Sequence, residues 1–239
     1  MLMTKSNFGL YLVPSPLHEE GFSFLPEGSW ETIAHVSLFI VENARAARRG
    51  LRKMGYLADF NTLQMMEWNE NSTIDDQTAI LDALQHQKLA VLMSDAGLPC
   101  IADPGYAVVM RAHDLGIPVF PWVGPSSILL TLMASGLNGQ QFRFHGYLPR
   151  EKSERLRAIK EIERQARAGE TQLFMDTPYR NQSVLQDLLN VFHAETMICI
   201  GRELHSPKQS ILTKSSREWK KCVVQIQKIP VMFAVGIKK

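Results

Sequence analysis

The chain has 239 residues, 45% of them hydrophobic and 21% charged. That excludes a disordered or collagen-like chain and leaves enough core to fold without disulfide or metal staples. Twenty-six Lys and Arg stand against 24 Asp and Glu, a net charge of +2, too small by itself to announce a nucleic-acid or membrane partner.

Cys100, Cys199 and Cys222 are odd in number, far apart and without a CxxC, so neither a disulfide framework nor a zinc knuckle is expected. The seven histidines show no HxxxH or HxH spacing, and no metal is expected. No apolar run reaches the roughly 20 residues that span a bilayer. The N-terminus passes from Lys5 into a strand-like segment without a signal-peptide apolar region. A cytoplasmic protein with no membrane contact is the expectation.

The predicted elements begin with residues 10–13 (LYLV), a strand that stops at Pro14. Further strands are read at 36–41 (VSLFIV), 89–93 (LAVLM) and 119–123 (VFPWV). Short apolar runs between breakers suit strands buried on both faces of a parallel sheet. Helices are read between them at 44–54, at 78–87 with Ile80, Leu81 and Leu84 in register, and at 108–115 before Gly116-Ile117-Pro118. Strand and helix alternating in this way is the α/β pattern. The second half begins with a helix at 127–134 and an alternating strand at 142–147 (FRFHGY), then a long charged helix at 152–168. Strands follow at 173–175, 197–200, 211–212 and 231–235, with an amphipathic helix at 183–192. The expected architecture is two consecutive α/β domains, 1–123 and 124–239, with a ligand cleft between them.

No GxGxxG follows a strand, and Walker A, GxSxG and HExxH motifs are absent. Three loops after predicted strands stand out instead. Val13-Pro14-Ser15-Pro16 is a rigid strand exit. Residues 94–105 (SDAGLPCIADPG) form a long loop of small residues with two Asp, whose backbone a ligand can approach closely. It leaves a central strand at the carboxyl end, where open α/β sheets bind ligands. Val123-Gly124-Pro125-Ser126-Ser127 opens a helix whose amides could meet an anion. Carboxylates close three strands: Glu42, Asp176 and Glu203. Arg45, Arg48, Arg49 and Arg52 fall at i, i+3, i+4 and i+7, with no acid from 44 to 58. That spacing draws one helical stripe, for which polyanion binding and pairing with acids elsewhere in the chain both stay open.

These loops together resemble the tetrapyrrole methylase superfamily, the class III S-adenosylmethionine-dependent methyltransferases. The branch resembled most is the 16S ribosomal RNA ribose 2′-O-methyltransferases. The carriers are LYLVPSP at 10–16, VENAR at 41–45, SDAGLPCIADPGY at 94–106 and GIPVFPWVGPSS at 116–127. They continue with ASGL at 134–137, FRFHGYLPR at 142–150, LFMDTPYR at 173–180 and GREL at 201–204. Where that branch usually reads Glu-Asp-Thr-Arg, this chain has Glu42-Asn43-Ala44-Arg45.

The resemblance implies a methyltransferase that holds S-adenosylmethionine in the interdomain cleft. It implies that Ser94, Asp95, Ala96, Gly97, Leu98, Ile101 and Ala102, with Ser126 and Ser127, hold the cofactor, and that Pro14 and Met175 wall the pocket. Gly97 and Ala96 are expected to lie against the ligand. Glu42 is the expected general base, with Asp176 second. Arg45, Arg48 and Arg49 are expected to hold RNA. The implied partner is ribosomal RNA or the small ribosomal subunit, and the implied assembly a homodimer. Two other readings remain: a methyltransferase of a small molecule such as a tetrapyrrole, and a non-catalytic relative that binds cofactor or RNA.

Overall fold

The structure is a computed structural model that describes residues 8–21, 30–57 and 59–238. The first residues, on which the absence of an export leader was read, lie outside the described ones. The chain divides into two compact units, 1–126 and 127–239, three residues beyond the junction read from the sequence.

In the first unit, β1 (Gly9–Val13), β2 (Leu38–Val41), β3 (Gln64–Glu67), β4 (Leu89–Met93) and β5 (Val119–Pro121) form one sheet in the order β3-β2-β4-β1-β5. All its neighbours are parallel, with Leu10 beside both Ala90 and Val119. Helices α1 (Trp30–Ile33), α2 (Ala44–Lys53), α3 (Ile74–Gln87) and α4 (Tyr106–Asp114) connect the strands. Tyr11, Val13, Phe39, Val41 and Val91 share one core with Ile33, Leu51 and Met54. Leu10, Leu38, Ile40, Ala90 and Leu92 share the other with Ile80, Leu84, Val108 and Ala112. Alternate residues of each strand thus point into different cores, which is why these strands read as unbroken apolar runs.

Two expectations change here. β3 has the sequence QMME, half-buried at most, and gave no strand signal. It is an edge strand, held by ladder bonds to β2 and by Gln64 N–H on Ser37 O at 2.8 Å. Helix α3 starts at Ile74 rather than 78. The reason is a capping box in which Thr73 and Asp76 satisfy each other's backbone N–H.

The second unit contains α5 (Ser127–Ser135), β6 (Phe142–Tyr147), α6 (Lys152–Arg167), β7 (Thr171–Met175), α7 (Asn181–Val191), β8 (Met197–Arg202), β9 (Ser210–Ser215), α8 (Ser216–Trp219) and β10 (Val231–Gly236). Its sheet runs β6-β7-β10-β8-β9, parallel only between β6 and β7 and antiparallel elsewhere. Helices α6 and α7 pack Ile159, Ile162 and Leu188 on Phe174, Ile198 and Phe233. Helix α5 packs Ile128 and Leu132 on Leu173, Cys199 and Met232 of the opposite face. Arg155 and Asp187 join α6 to α7 at 2.9 Å, both nearly buried.

Candidate active site and the basic helix beside it

Connections from β1 and β2 lead to the core face of α2, whereas those from β3 and β4 lead to the face of α3 and α4. Adjacent strands that send their connections to opposite faces open a crevice at their carboxyl ends. The loops after β1, β4 and β5 meet there. Ser15 and Gly97 exchange backbone bonds at 2.8 and 2.9 Å, and the Ser15 hydroxyl donates to Ser94 O at 2.6 Å. A Cβ on Gly124 would fall 2.2 Å from Pro14 Cβ, so the first and third loops touch where only glycine fits.

Gly97 lies where the first two loops meet. It is buried, with φ +77°, and a Cβ there would meet Leu17 at 3.3 Å and Pro125 O at 3.4 Å. Its role in this structure is to bridge two loops, and a branched side chain would strain the backbone. Ser94 is buried as well, whereas Asp95, Ala96, Ile101 and Ala102 are exposed and Leu98 and Ser126 half-buried. Cys100 and Ala102 are left-handed, at φ 69° and 65°. The Asp103 carboxylate sits inside the turn and accepts the N–H groups of Cys100 at 2.8 Å and Gly105 at 2.7 Å. Trp68 donates its indole N–H to Pro104 O at 3.0 Å. The loop is held from within, and its outer rim stays open.

Glu42 follows β2 and is half-buried. One carboxylate oxygen accepts the Asp95 N–H at 3.0 Å, and Asn69 holds the Glu42 carbonyl at 2.8 Å. Burial pushes its carboxyl above the usual range; the Asp95 N–H opposes this, and the charges of Asp103 and Asp95 add to it. Asp95 is also raised, by burial first and then by the Glu67 charge. Glu67 in turn accepts the Ala44 N–H at 2.8 Å.

Asp176 does not offer a comparable carboxylate. Its side chain is 0% exposed, 3.2 Å from the Arg180 guanidinium, and it accepts the Thr177 N–H at 2.7 Å. Arg180 also donates to Pro149 O at 2.6 Å. The buried carboxylate is paired with Arg180, and its Oδ2 accepts no hydrogen bond from the described residues. Ser127 and Met175, both half-buried, begin α5 and end β7 in that unit.

The arginine stripe divides. Arg45, Arg48 and Arg49 are exposed on α2 and make no ion pair with described residues. Arg52 corrects the expectation of four equivalent cations. Its guanidinium donates to Tyr56 O at 2.8 Å and lies 4.3 Å over the Phe60 ring, closing the turn after the helix. Arg49 and Lys53 face a cavity of about 410 Å³ shared with His18, Ser15, Asp95 and Ala96. Sequence reasoning did not bring His18 next to Lys53, because nothing in the local pattern reports that the loop after β1 reaches α2.

No protein-family model matches the chain. The ribosomal RNA small subunit methyltransferase I of Vibrio cholerae is 32% identical over 206 residues, 84% of this chain and 67% of that protein. The enzymes of the same name from Bacillus subtilis and Escherichia coli O157:H7 are 32% and 30% identical, each over 202 residues. The chain belongs to the ribosomal RNA small subunit methyltransferase I family. It spans about two-thirds of the length of these relatives. Among solved structures, the methyltransferase CobJ superposes with a TM-score of 0.63 at 14% identity, over 96% of this chain and 94% of that one. Uroporphyrin-III C-methyltransferase from Thermus thermophilus gives 0.56 at 15%, over 95% and 94%. These likenesses show the α/β fold of the tetrapyrrole methylases, and this member of the small subunit methyltransferase I family is a methyltransferase. Its departure at Asn43 keeps the local structure: the Asn43 side chain caps α2 by accepting the Ala46 N–H at 2.9 Å, as an Asp would. Among the described residues no helix is long and apolar enough to cross a membrane, and no cluster of His, Cys, Asp and Glu could hold a metal.

Proposed function

We propose that the chain transfers the methyl group of S-adenosylmethionine to a ribose 2′-hydroxyl of small-subunit ribosomal RNA, in the cytoplasm and as a homodimer. The carrying observation is Glu42, a half-buried carboxylate with one oxygen fixed by Asp95 N–H, just before α2, on which the exposed Arg45, Arg48 and Arg49 make no ion pair with described residues.

The loops fit the cofactor. Small side chains at the exposed Ala96 and Ala102 leave backbone within reach of a ligand, and the exposed Asp95 carboxylate suits its amino and hydroxyl donors. Residues 94–102, Pro14 and Ser126 would hold it. When bound, the cofactor supplies a methyl group activated by a sulfonium, which leaves as a neutral thioether. The chain's own residues align the acceptor, exclude water and remove one proton. Glu42 accepts that proton from the ribose hydroxyl through its second oxygen, and its raised pKa makes it a better base than an exposed carboxylate. Arg45, Arg48 and Arg49 contact phosphates.

Incubating the protein and labelled cofactor with small ribosomal subunits from cells lacking the gene tests this reading. Label should enter 16S RNA and survive alkaline hydrolysis as a dinucleotide, since a methylated 2′-oxygen cannot attack the adjacent phosphate. Label in a uroporphyrinogen and none in RNA would overturn it. Light scattering that gives the monomer mass at every concentration would remove the homodimer.

A further inference from the structure

We infer that the outer edge of β9 docks an extended segment of a partner protein, added as one more strand, with the pattern acid-x-apolar-x-acid. The inference goes beyond the proposed function and concerns a strand that carries none of the residues assigned to cofactor or RNA.

β9 closes one end of the second sheet and β6 the other. The register of β6 shifts between Phe144 and Tyr147, whereas β9 pairs with β8 over six residues without a break. The phase of that ladder decides which groups face outward. Ser216 N–H donates to Thr196 O at 2.8 Å, and across the other side of β8 Glu203 N–H donates to Pro230 O at 3.1 Å. Hydrogen-bonded pairs alternate in an antiparallel ladder. Ser210, Leu212 and Lys214 therefore bond to β8, while Ile211, Thr213 and Ser215 direct their N–H groups outward. The Glu218 carboxylate takes the Ser215 N–H at 2.8 Å. The outward N–H and C=O groups of Ile211 and Thr213 meet no backbone partner among the described residues. Such a row is a template for strand addition.

The side chains beside this edge select the occupant. Ser210, Leu212 and Lys214 line a cavity of about 680 Å³ together with Arg202, Trp219 and Val223, and no acid among the described residues lines it. Leu212 is 50% exposed and Val223 96%, so the centre of the cavity offers apolar surface to solvent. Cations stand at its two ends. Arg202 lies opposite Ser210, and Lys214 is four residues further along, about 13 Å at the rise of a strand. Lys214 Nζ lies 5.3 Å from the Trp219 ring and donates to Cys222 Sγ at 3.1 Å. Glu218 acts on the same cation, but Ser215 occupies its carboxylate through both N–H and hydroxyl, at 2.8 and 2.6 Å.

A strand laid against β9 sends every second side chain over the cavity. One acid then falls near Arg202, an apolar residue against Leu212 and Val223, and a second acid near Lys214. The residues between them fall on the α5 side, where Ile211 packs on the core and the Thr213 hydroxyl donates to Ser135 O at 2.8 Å. RNA suits this surface less well, because phosphates cannot pair with the β9 carbonyls and leave the apolar centre unmatched.

The probe is the end-blocked peptide Thr-Glu-Thr-Leu-Thr-Glu-Thr. Its control, Glu-Thr-Thr-Leu-Thr-Thr-Glu, has the same composition but places both acids on the other face of the strand. Calorimetry and residue-resolved amide hydrogen exchange compare the intact protein with Ile211→Pro and the double variant Arg202→Glu/Lys214→Glu. The probe should bind at least tenfold more tightly than the control and slow exchange of the Ile211 and Thr213 amides at least tenfold. Ile211→Pro removes an outward N–H and no bond to β8, a change that edge strands tolerate. It should abolish probe binding and leave the melting temperature nearly unchanged. The double variant should bind the probe at least tenfold more weakly and gain affinity for the peptide with Lys in place of both Glu, a swap that mere misfolding would not produce. Equal affinity for probe and control, or binding that leaves Ile211 and Thr213 exchange unaltered, would overturn the inference. Protection of these two amides that grows with protein concentration alone would replace the partner by a second copy of the chain. A single-stranded RNA of roughly nine nucleotides that bound more tightly than the probe, and was lost in the double variant, would replace it by RNA.

Discussion

Glu42 accepts the backbone N–H of Asp95 at 3.0 Å, while the Asp95 carboxylate accepts a backbone N–H from Asn43, the residue after Glu42. The ends of β2 and β4 are thereby locked to each other from both sides. Glu67 adds the end of β3 through the Ala44 N–H. The lock fixes one Glu42 oxygen and leaves the other to the crevice, next to the residues that line the α2 cavity.

Glu42→Gln should lower methyl transfer about 10²–10⁴-fold while S-adenosylhomocysteine still binds in calorimetry. In the intact protein, activity should rise with pH as Glu42 loses its proton, with a midpoint above the ordinary carboxylate value because burial raises it. The stability effect has the opposite sign. A carboxyl whose pKa is raised in the folded state binds its proton more tightly there, so folding weakens as pH rises from the unfolded toward the folded value. E42Q should therefore melt higher than the intact protein at neutral pH, and the gain should vanish below about pH 4. An unchanged rate would remove Glu42 as the base.

Gly124→Ala should destabilise the first unit by roughly 1–3 kcal/mol, the usual range for overpacking, because its Cβ would sit 2.2 Å from Pro14. A proline ring cannot rotate away, so the loops after β1 and β5 must part. Cofactor affinity should fall at least tenfold along with the melting temperature. Intact affinity in a protein that melts normally would show that these loops do not hold the cofactor.

Arg52→Gln should lower stability by about 1 kcal/mol, or roughly 2–4 °C. The change removes the bond to Tyr56 O and the contact with Phe60. The salt slope of RNA binding should not move. A flattened slope would return Arg52 to the RNA-binding set.

Asp187→Ala should destabilise the second unit by about 3–5 kcal/mol, because Arg155 would stay buried without its partner. Arg155 keeps its 2.9 Å bond to Arg150 O, which does not neutralise its charge. Chemical unfolding followed at Trp219, buried in the same core, reads the loss; a change below 1 kcal/mol would show the pair to be exchangeable.

Most of the first sheet was legible in the sequence, and the reason is burial on both faces. A strand such as 89–93 (LAVLM) has no solvent side, so it appears as an unbroken apolar run between breakers. The three loops were legible because small residues, prolines and carboxylates gather after such runs, and those same segments carry the family resemblance. What the tertiary structure decided depends on which elements end side by side. QMME becomes β3 only because β2 offers it a ladder. Arg52 leaves the cationic stripe because the chain turns after α2 and brings Tyr56 O and Phe60 within reach. Gly97 serves a bridge to Ser15, and His18 meets Lys53 at one cavity, across distances in sequence that no local period records. Periodicity reports how one element is buried. Hydrogen-bond partners and shared cavities are set by strand order and crossover face, which exist only once the sheet is assembled.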